Sequence, residues 1–247
     1  MIHINDVYSH PDPLLSTQNQ QGGRSLEKER AATVLKILER ALVLPQRDKP
    51  NPDPFETLVR TIISQNTTDQ NAFRAFENLS KHFEITPEAL AKAKLDQLEE
   101  SIRVAGLHKH KASAILQISR RVNKTHCGNL AWILSKPFGD AREALLQFPG
   151  IGPKTADVVL LFAAKQPTIP VDTHVDRVAK RLGFALARGN YESVRESLQS
   201  LFNPSDCLKV HLLLIAHGRK YCKSRRLLCN ECPINMHCPS KGSQDRC

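Results

Sequence analysis

Four cysteines follow the spacing Cys222-x6-Cys229-x2-Cys232-x5-Cys238. Thiolates gathered this closely bind a soft or borderline metal centre, either tetrahedral zinc or a [4Fe–4S] cluster. A zinc ribbon usually brings two tight Cys-x2-Cys pairs, and only Cys229 and Cys232 form one here. Spacing alone leaves both metals open. All four ligand positions close on cysteine, so substrate finds no open position. The first role of the centre is structural: it holds a tail, 220–247, too short and polar to build a core. Arg219, Lys220, Lys223, Arg225 and Arg226 fall within eight residues of one another, with no acid among them. They read as a solvated basic surface or as contacts to DNA phosphates. Cys127 and Cys207 read as buried apolar positions and Cys247 as a frayed end.

Lys154 and Asp172 form the second candidate set. From Leu145 the chain reads Leu-Leu-Gln-Phe-Pro-Gly-Ile-Gly-Pro-Lys-Thr-Ala-Asp. Apolar residues end one helix, Pro-Gly-Ile-Gly turns, and Pro153 opens the next helix without losing an intrahelical bond. Gly150, Ile151 and Gly152 can aim backbone N–H groups at an anion, aided by the helix dipole. Such a contact reads no base. The same turn also suits an inert helical corner. Lys154 reads as a solvated lysine, as one more phosphate contact, or as a nucleophile. In the last role a neutral amine attacks C1′ of a deoxyribose and forms a Schiff base. Nearby cations, the helix N-terminus and partial desolvation would favour the neutral amine. Asp172 lies 18 residues further on, in Pro170-Val171-Asp172-Thr173-His174-Val175. It reads as a helix N-cap, or as a carboxylate that stabilises positive charge on the sugar and shuttles protons. His174 and Asp176 read as ordinary helix and surface positions.

The elements that must position these residues are helical. Ala31, Val34, Leu35, Leu38, Ala41 and Leu42 form an apolar stripe at helical spacing, in a helix that starts near Leu26. Pro45 and the stretch 48–54, with three prolines, end it. Further helices are expected over 55–66, 69–82, 87–92, 95–104, 109–123, 127–134 and 140–148. Alternating β-branched runs are absent, so the fold class is all-α. Residues 1–25 show no sustained period and read as a loose tail. Arg24, Lys28 and Arg30 beside this Ser-, Gln- and Gly-containing stretch leave organellar targeting open, but a frayed terminus is the plainer reading.

The chain has 247 residues, enough for one large domain or two small ones. Its 35 Lys and Arg exceed its 25 Asp and Glu, a formal net charge of +10. That excess favours an anionic partner, nucleic acid before membrane. The longest apolar runs have about a third of the length of a spanning helix, and no secretory signal is visible. The seven cysteines make an odd count, a poor fit to a disulfide framework. An intracellular protein is expected, in the cytoplasm or nucleoid of a prokaryote.

Taken together, these elements resemble the endonuclease III family of DNA glycosylases with AP-lyase activity, in the helix-hairpin-helix superfamily. The resemblance runs from about Leu26 to Cys238. It rests on Leu146 to Ala156, Pro167 to Val175, His217-Gly218-Arg219 and the four-cysteine spacing, in family order. It implies that Lys154 is the Schiff-base lysine and Asp172 the catalytic carboxylate. It implies that Cys222, Cys229, Cys232 and Cys238 hold a [4Fe–4S] cluster. It implies two helical domains with a DNA-binding cleft between them: a central one, 50–165, with the hairpin, and a discontinuous one, 26–49 plus 166–247, with the cluster. Val104-Ala105-Gly106-Leu107-His108-Lys109-His110-Lys111 resembles the loop that fills the gap left by an extruded nucleotide. Leu107 matches its apolar wedge and His108 sits beside it.

Two departures stand out. Ser64-Gln65-Asn66-Thr67-Thr68-Asp69 replaces the family's common Ser-Ala-Gln-Ala-Thr-Asp, so Asn66 stands where a glutamine fills the space beside the flipped base. Pro153 stands before the lysine, where a basic residue is common. The implied reaction is excision of oxidised or ring-saturated pyrimidines from duplex DNA by a monomer, followed by β-elimination 3′ to the abasic site. The alternatives are a uracil or thymine mismatch glycosylase, an enzyme acting mainly on existing abasic sites, and a non-catalytic DNA-binding module.

Overall fold

The computed structural model describes residues 13–44, 53–125, 127–225 and 227–242. Eleven α-helices form among them: α1 (Pro13–Ala41), α2 (Pro54–Ser64), α3 (Asp69–His82), α4 (Pro87–Lys92), α5 (Leu95–Ser101), α6 (His108–Thr125), α7 (Phe138–Leu146), α8 (Pro153–Phe162), α9 (Thr173–Arg181), α10 (Tyr191–Leu201) and α11 (Cys207–Lys220). No strand forms among the described residues; an isolated bridge pairs Cys222 with Leu227. The all-α expectation holds. Among the described residues, no helix is long and apolar enough to cross a membrane.

Local chemistry explains the helix starts. Asp53, Thr68 and Thr86 each accept a backbone N–H of the first turn of α2, α3 and α4, with Pro54 and Pro87 at the first helical position. Three expectations need correction. The helix expected from Leu26 reaches back to Pro13, because extending a formed helix is far easier than nucleating one; the rest of the expected tail, 1–12, lies outside the described residues. The helix expected over 127–134 is only a 3-10 turn, Ala131–Ser135. Cys127 (φ 49°) and Gly128 (φ 71°) stop α6 with a left-handed turn, and Gly128 N–H donates to the Val122 carbonyl at 3.3 Å. That turn also puts Cys127 on the surface rather than in the core, whereas Cys207 is buried as expected.

Two hydrophobic cores organise the helices into two lobes. The first gathers Phe55, Leu58, Ile62, Leu79, Leu98, Ile115, Ile133, Leu145 and Val159, all from α2 to α8 and the turns between them. The second gathers Ala31, Val34 and Leu38 of α1 with Val175, Val178, Val194, Leu198, Val210, Leu213 and Ile234. The apolar stripe of α1 faces this second core. Helix α8 serves both: Ala156, Val159 and Leu160 pack into the first and Leu161 into the second.

A buried carboxylate sits in that shared helix. Asp157 is fully buried and accepts from Arg142 Nε at 2.7 Å, Arg142 Nη2 at 3.3 Å and Tyr191 Oη at 2.7 Å. Arg142 also donates to Glu192 at 2.6 Å. Burial and then the Asp157 charge push the Tyr191 hydroxyl up. Burial works against Glu192, but Arg142 and Arg195 hold it below the usual carboxylate range. The network joins α7 and α8 to α10. Asp157→Ala leaves Arg142 and Tyr191 without their acceptor, so it should lower unfolding stability by about 3–5 kcal/mol. Denaturant unfolding at neutral pH checks this; a loss within error would show that the network carries no net stability.

Candidate active site

The hairpin lies between α7 and α8. Gly150 takes φ 77°, where a side chain would be strained, and its missing Cβ faces Ala114 at 3.4 Å. Gly152 has φ −95° and open space around it, so only the first glycine is conformationally required. Phe148 and Ile151 are buried in the first core. Arg121 donates to the Gln147 carbonyl at 2.6 Å and stacks over the Phe148 ring. Ile151 N–H donates to the Phe148 carbonyl at 3.2 Å, so it is not free for an anion. The amides of Gly150, Gly152 and Lys154 have no acceptor among the described residues.

Lys154 is the second residue of α8 and exposed. The partial desolvation expected from sequence is therefore missing in the free protein. Its neighbour Thr155 is buried and accepts from Gln65 Nε2 at 3.2 Å. Gln65 caps the end of α2, and Asn66 after it is exposed at φ 51°. Asp172 caps α9: one oxygen, Oδ1, accepts from His174 N–H at 2.9 Å and Val175 N–H at 2.7 Å. The residue before it, Val171, donates its N–H to Tyr191 Oη at 3.5 Å, and the same hydroxyl donates to Asp157. Tyr191 thus joins the segment of Asp172 to the helix of Lys154. His174 is half-buried, with Nδ1 3.1 Å from Arg177 Nη2. Burial holds His174 below its usual range, against the pull of Asp172.

The expected wedge stands on a strained loop. Gly106 (φ 67°) precedes Leu107 (φ 49°), a conformation rare for a branched side chain. Leu107 is 56% exposed, and His108 beside it starts α6. Lys111, buried one turn below, donates Nζ to the carbonyls of Ile63 and Ala105, both at 2.9 Å. It ties the loop to the end of α2. Burial pushes Lys111 below its usual range. Sequence analysis quoted Lys111 without giving it a role. Its signal is a lysine in phase with Ile115, Ile118 and Val122 on the apolar face.

The four expected metal ligands line one pocket, walled by Val178, Leu182, Leu227 and Ile234. Among the described residues, no group of three or more His, Cys, Asp or Glu side chains is arranged to hold a metal ion. Three arginines to which sequence analysis assigned no part in this site frame the loop. Arg181 Nη1 lies 3.3 Å from Cys222 Sγ and 2.8 Å from the Lys223 carbonyl. Arg177 donates to the Cys222 carbonyl at 2.9 Å, and Arg30 to the carbonyls of Leu182 and His237. Burial, then the neighbouring thiolates, push Cys232 up to about 11. His217 lines the same pocket, and burial pushes it down to about 4. In the basic run, Lys220, Lys223 and Arg225 are exposed. Arg219 is instead paired with Asp69, Nη1 to Oδ2 at 2.6 Å and Nη2 to Oδ1 at 3.0 Å. The side chain of Arg226 lies outside the described residues.

Residues 59–204 match the family described as HhH-GPD superfamily base excision DNA repair protein. The endonuclease III of Sulfolobus acidocaldarius is 40% identical over 185 residues, which cover 74% of this chain and 81% of that protein. The endonuclease III of Thermotoga maritima is 35% identical over 192 residues, 78% of this chain and 85% of that one. A solved structure of a trapped endonuclease III–DNA covalent intermediate superposes with a TM-score of 0.75 at 28% identity, covering 87% of this chain and 96% of that one. With this family match and these relatives, the chain belongs to the endonuclease III family of base-excision DNA-repair glycosylase/lyases, within the HhH-GPD superfamily.

Proposed function

We propose that this chain excises oxidised or ring-saturated pyrimidines from duplex DNA and then cuts the strand through a Schiff base on Lys154. The observation that carries this reading is an exposed amine at the start of α8 and a carboxylate fixed as the N-cap of α9, on segments joined through Asp157, Tyr191 and Val171. Hydrogen bonds tie both helix starts into one frame, through Thr155 and Gln65 on one side and Asp157, Tyr191 and Val171 on the other.

Leu107 enters the duplex and the damaged nucleotide leaves the stack, into a space bordered by Gln65, Asn66 and His108. The Lys154 amine attacks C1′, the glycosidic bond breaks and the base departs with its bonding electrons. Asp172, held by two amides, stabilises positive charge on the sugar and takes a proton from the lysine. The nitrogen lone pair then opens the sugar ring: C1′–O4′ breaks, O4′ takes up the proton from Asp172, and the resulting C1′=N iminium acidifies C2′–H. Its loss expels the 3′ phosphate, and water later releases the lysine. The free amides of Gly150, Gly152 and Lys154 hold phosphate on one side. Lys220, Lys223 and Arg225 hold it on the other. The two cores support a central domain of about 50–165 and a discontinuous one of 26–49 plus 166–247, with Leu161 already on the second side.

Cys222, Cys229, Cys232 and Cys238 are assigned to a [4Fe–4S] cluster. The donor set suits it: four thiols share one apolar-walled pocket, and the Arg181 cation offsets the negative charge they gain on metal binding. When bound, the cluster cross-links the C-terminal loop and fixes the basic residues it carries.

Incubation with labelled duplexes under borohydride tests the reaction. The panel holds thymine glycol, dihydrouracil, uracil or thymine opposite guanine, and an abasic site. Adducts on the oxidised pyrimidines are expected, and Lys154→Ala should abolish them while duplex binding persists. Adducts on the mismatches alone would move the chain to mismatch repair. Asp172→Asn should slow base release by 10²-fold or more, roughly the loss of one preorganised electrostatic contact, at nearly constant affinity. An unchanged rate would reduce Asp172 to a helix cap. The purified protein should be yellow-brown, with iron and acid-labile sulfide in equal amounts; a colourless zinc protein would refute the cluster.

A further inference from the structure

We propose that Asp69 and Arg219 form an interlobe latch that sets the position of Asp172 against Lys154, which makes both of them positioning residues for the reaction. The inference rests on the reading of Lys154 and Asp172 given above.

Asp69 is the first residue of α3, in the first lobe, and Arg219 lies in the last turn of α11, in the second. They are 150 residues apart in sequence and meet in a two-pronged guanidinium–carboxylate pair. This pair has defined geometry and directional bonds, unlike a loose surface contact. Asp69 also lines a groove of about 360 Å³ between α2, α3 and α8, with Ser64 and Phe73. The latch therefore stands at an opening in the first lobe, beside the end of α8.

Each end of the pair leads to one reacting group. Three residues separate Asp69 from Gln65, whose side chain bonds Thr155, the neighbour of Lys154. On the other side, Gly218 precedes Arg219 and packs against His174. A Cβ at Gly218 would stand 3.0 Å from His174 Cβ and 3.3 Å from Arg177 Nη2, so a side chain there would have to push these neighbours back by a few tenths of an ångström. His174 in turn donates its backbone N–H to Asp172. These links form a path from Lys154 to Asp172 by way of Thr155, Gln65, the segment 66–68, Asp69, Arg219, Gly218 and His174. Without the ion pair this path is broken at its one ionic link, and the two reacting groups are tied only through Asp157, Tyr191 and Val171.

The same geometry argues against a phosphate role for Arg219. Its guanidinium already faces a carboxylate, a contact that a phosphate would have to displace. The side chains of Asp69 and Arg219 are 76% and 50% exposed, so the pair adds little to global stability. Its effect belongs in the rate, because a displacement of about 1 Å at a reacting pair costs on the order of 10²-fold.

Single-turnover Schiff-base trapping on a thymine glycol duplex, with the full-length protein, tests the latch. Asp69→Ala and Asp69→Asn should each lower the saturating rate about tenfold or more. Their affinity for undamaged duplex should hold or rise, because a negative charge beside phosphates is gone. Thermal melting should stay near wild type. The double variant Asp69→Arg with Arg219→Asp should recover most of the lost rate. If Arg219 is instead a phosphate ligand, Arg219→Ala weakens binding and lowers the salt slope by about one. The swap then fails to rescue, and Asp69→Ala matches or exceeds the wild-type rate; that pattern overturns the latch. The Lys154→Ala control separates the two readings. Adducts that persist there overturn the assignment of Lys154, and the latch with it. Adducts lost there, with wild-type trapping by both Asp69 variants, overturn the latch alone.

Discussion

Helix α8 has to satisfy two hydrophobic cores and still present its first turn to solvent. Its apolar residues divide between the lobes, so neither core is complete without it. The buried carboxylate of Asp157 fixes how it sits. A charge at that depth is tolerated only with partners, and Arg142 and Tyr191 supply them from helices on either side. Once Asp157 is satisfied, the rotation of α8 is set. Lys154 and Thr155, less than one turn away, then point where the frame of the protein puts them.

The segment of Asp172 obeys the same frame. Tyr191 holds the Val171 amide with the oxygen whose hydrogen Asp157 takes. Capping and chemistry are therefore compatible roles for Asp172. Its Oδ1 receives both amide bonds, which orients the carboxylate. Sequence analysis set these roles against each other, and the geometry lets one residue serve both.

Positive charge in this protein does several distinct jobs that composition cannot separate. Lys111 is buried and braces a loop from below. Arg30, Arg177 and Arg181 hold carbonyls around the cysteine pocket. Arg219 crosses between lobes. Only part of the net +10 is left facing solvent as a simple basic surface. A count of charges overstates the surface available to an anion and misses the internal work of the arginines.

Much was legible from sequence because it depends on near neighbours. The starts of α2, α3 and α4 depend on capping residues and prolines that act within one turn. The stripe of α1 declared its buried face by its period, and the Pro-Gly-Ile-Gly turn declared a break between two helices. Two of the misreadings share a cause. A left-handed turn at Cys127 and Gly128 ended α6 and displaced the next helix, and residue type alone does not announce a positive φ outside glycine. What tertiary structure alone decided are the pairings between residues distant in the chain: Gln65 with Thr155, Asp157 with Tyr191, and Asp69 with Arg219. Residue type and spacing say that a charge or an amide needs a partner. Which partner it finds depends on how two separately formed cores pack around one shared helix.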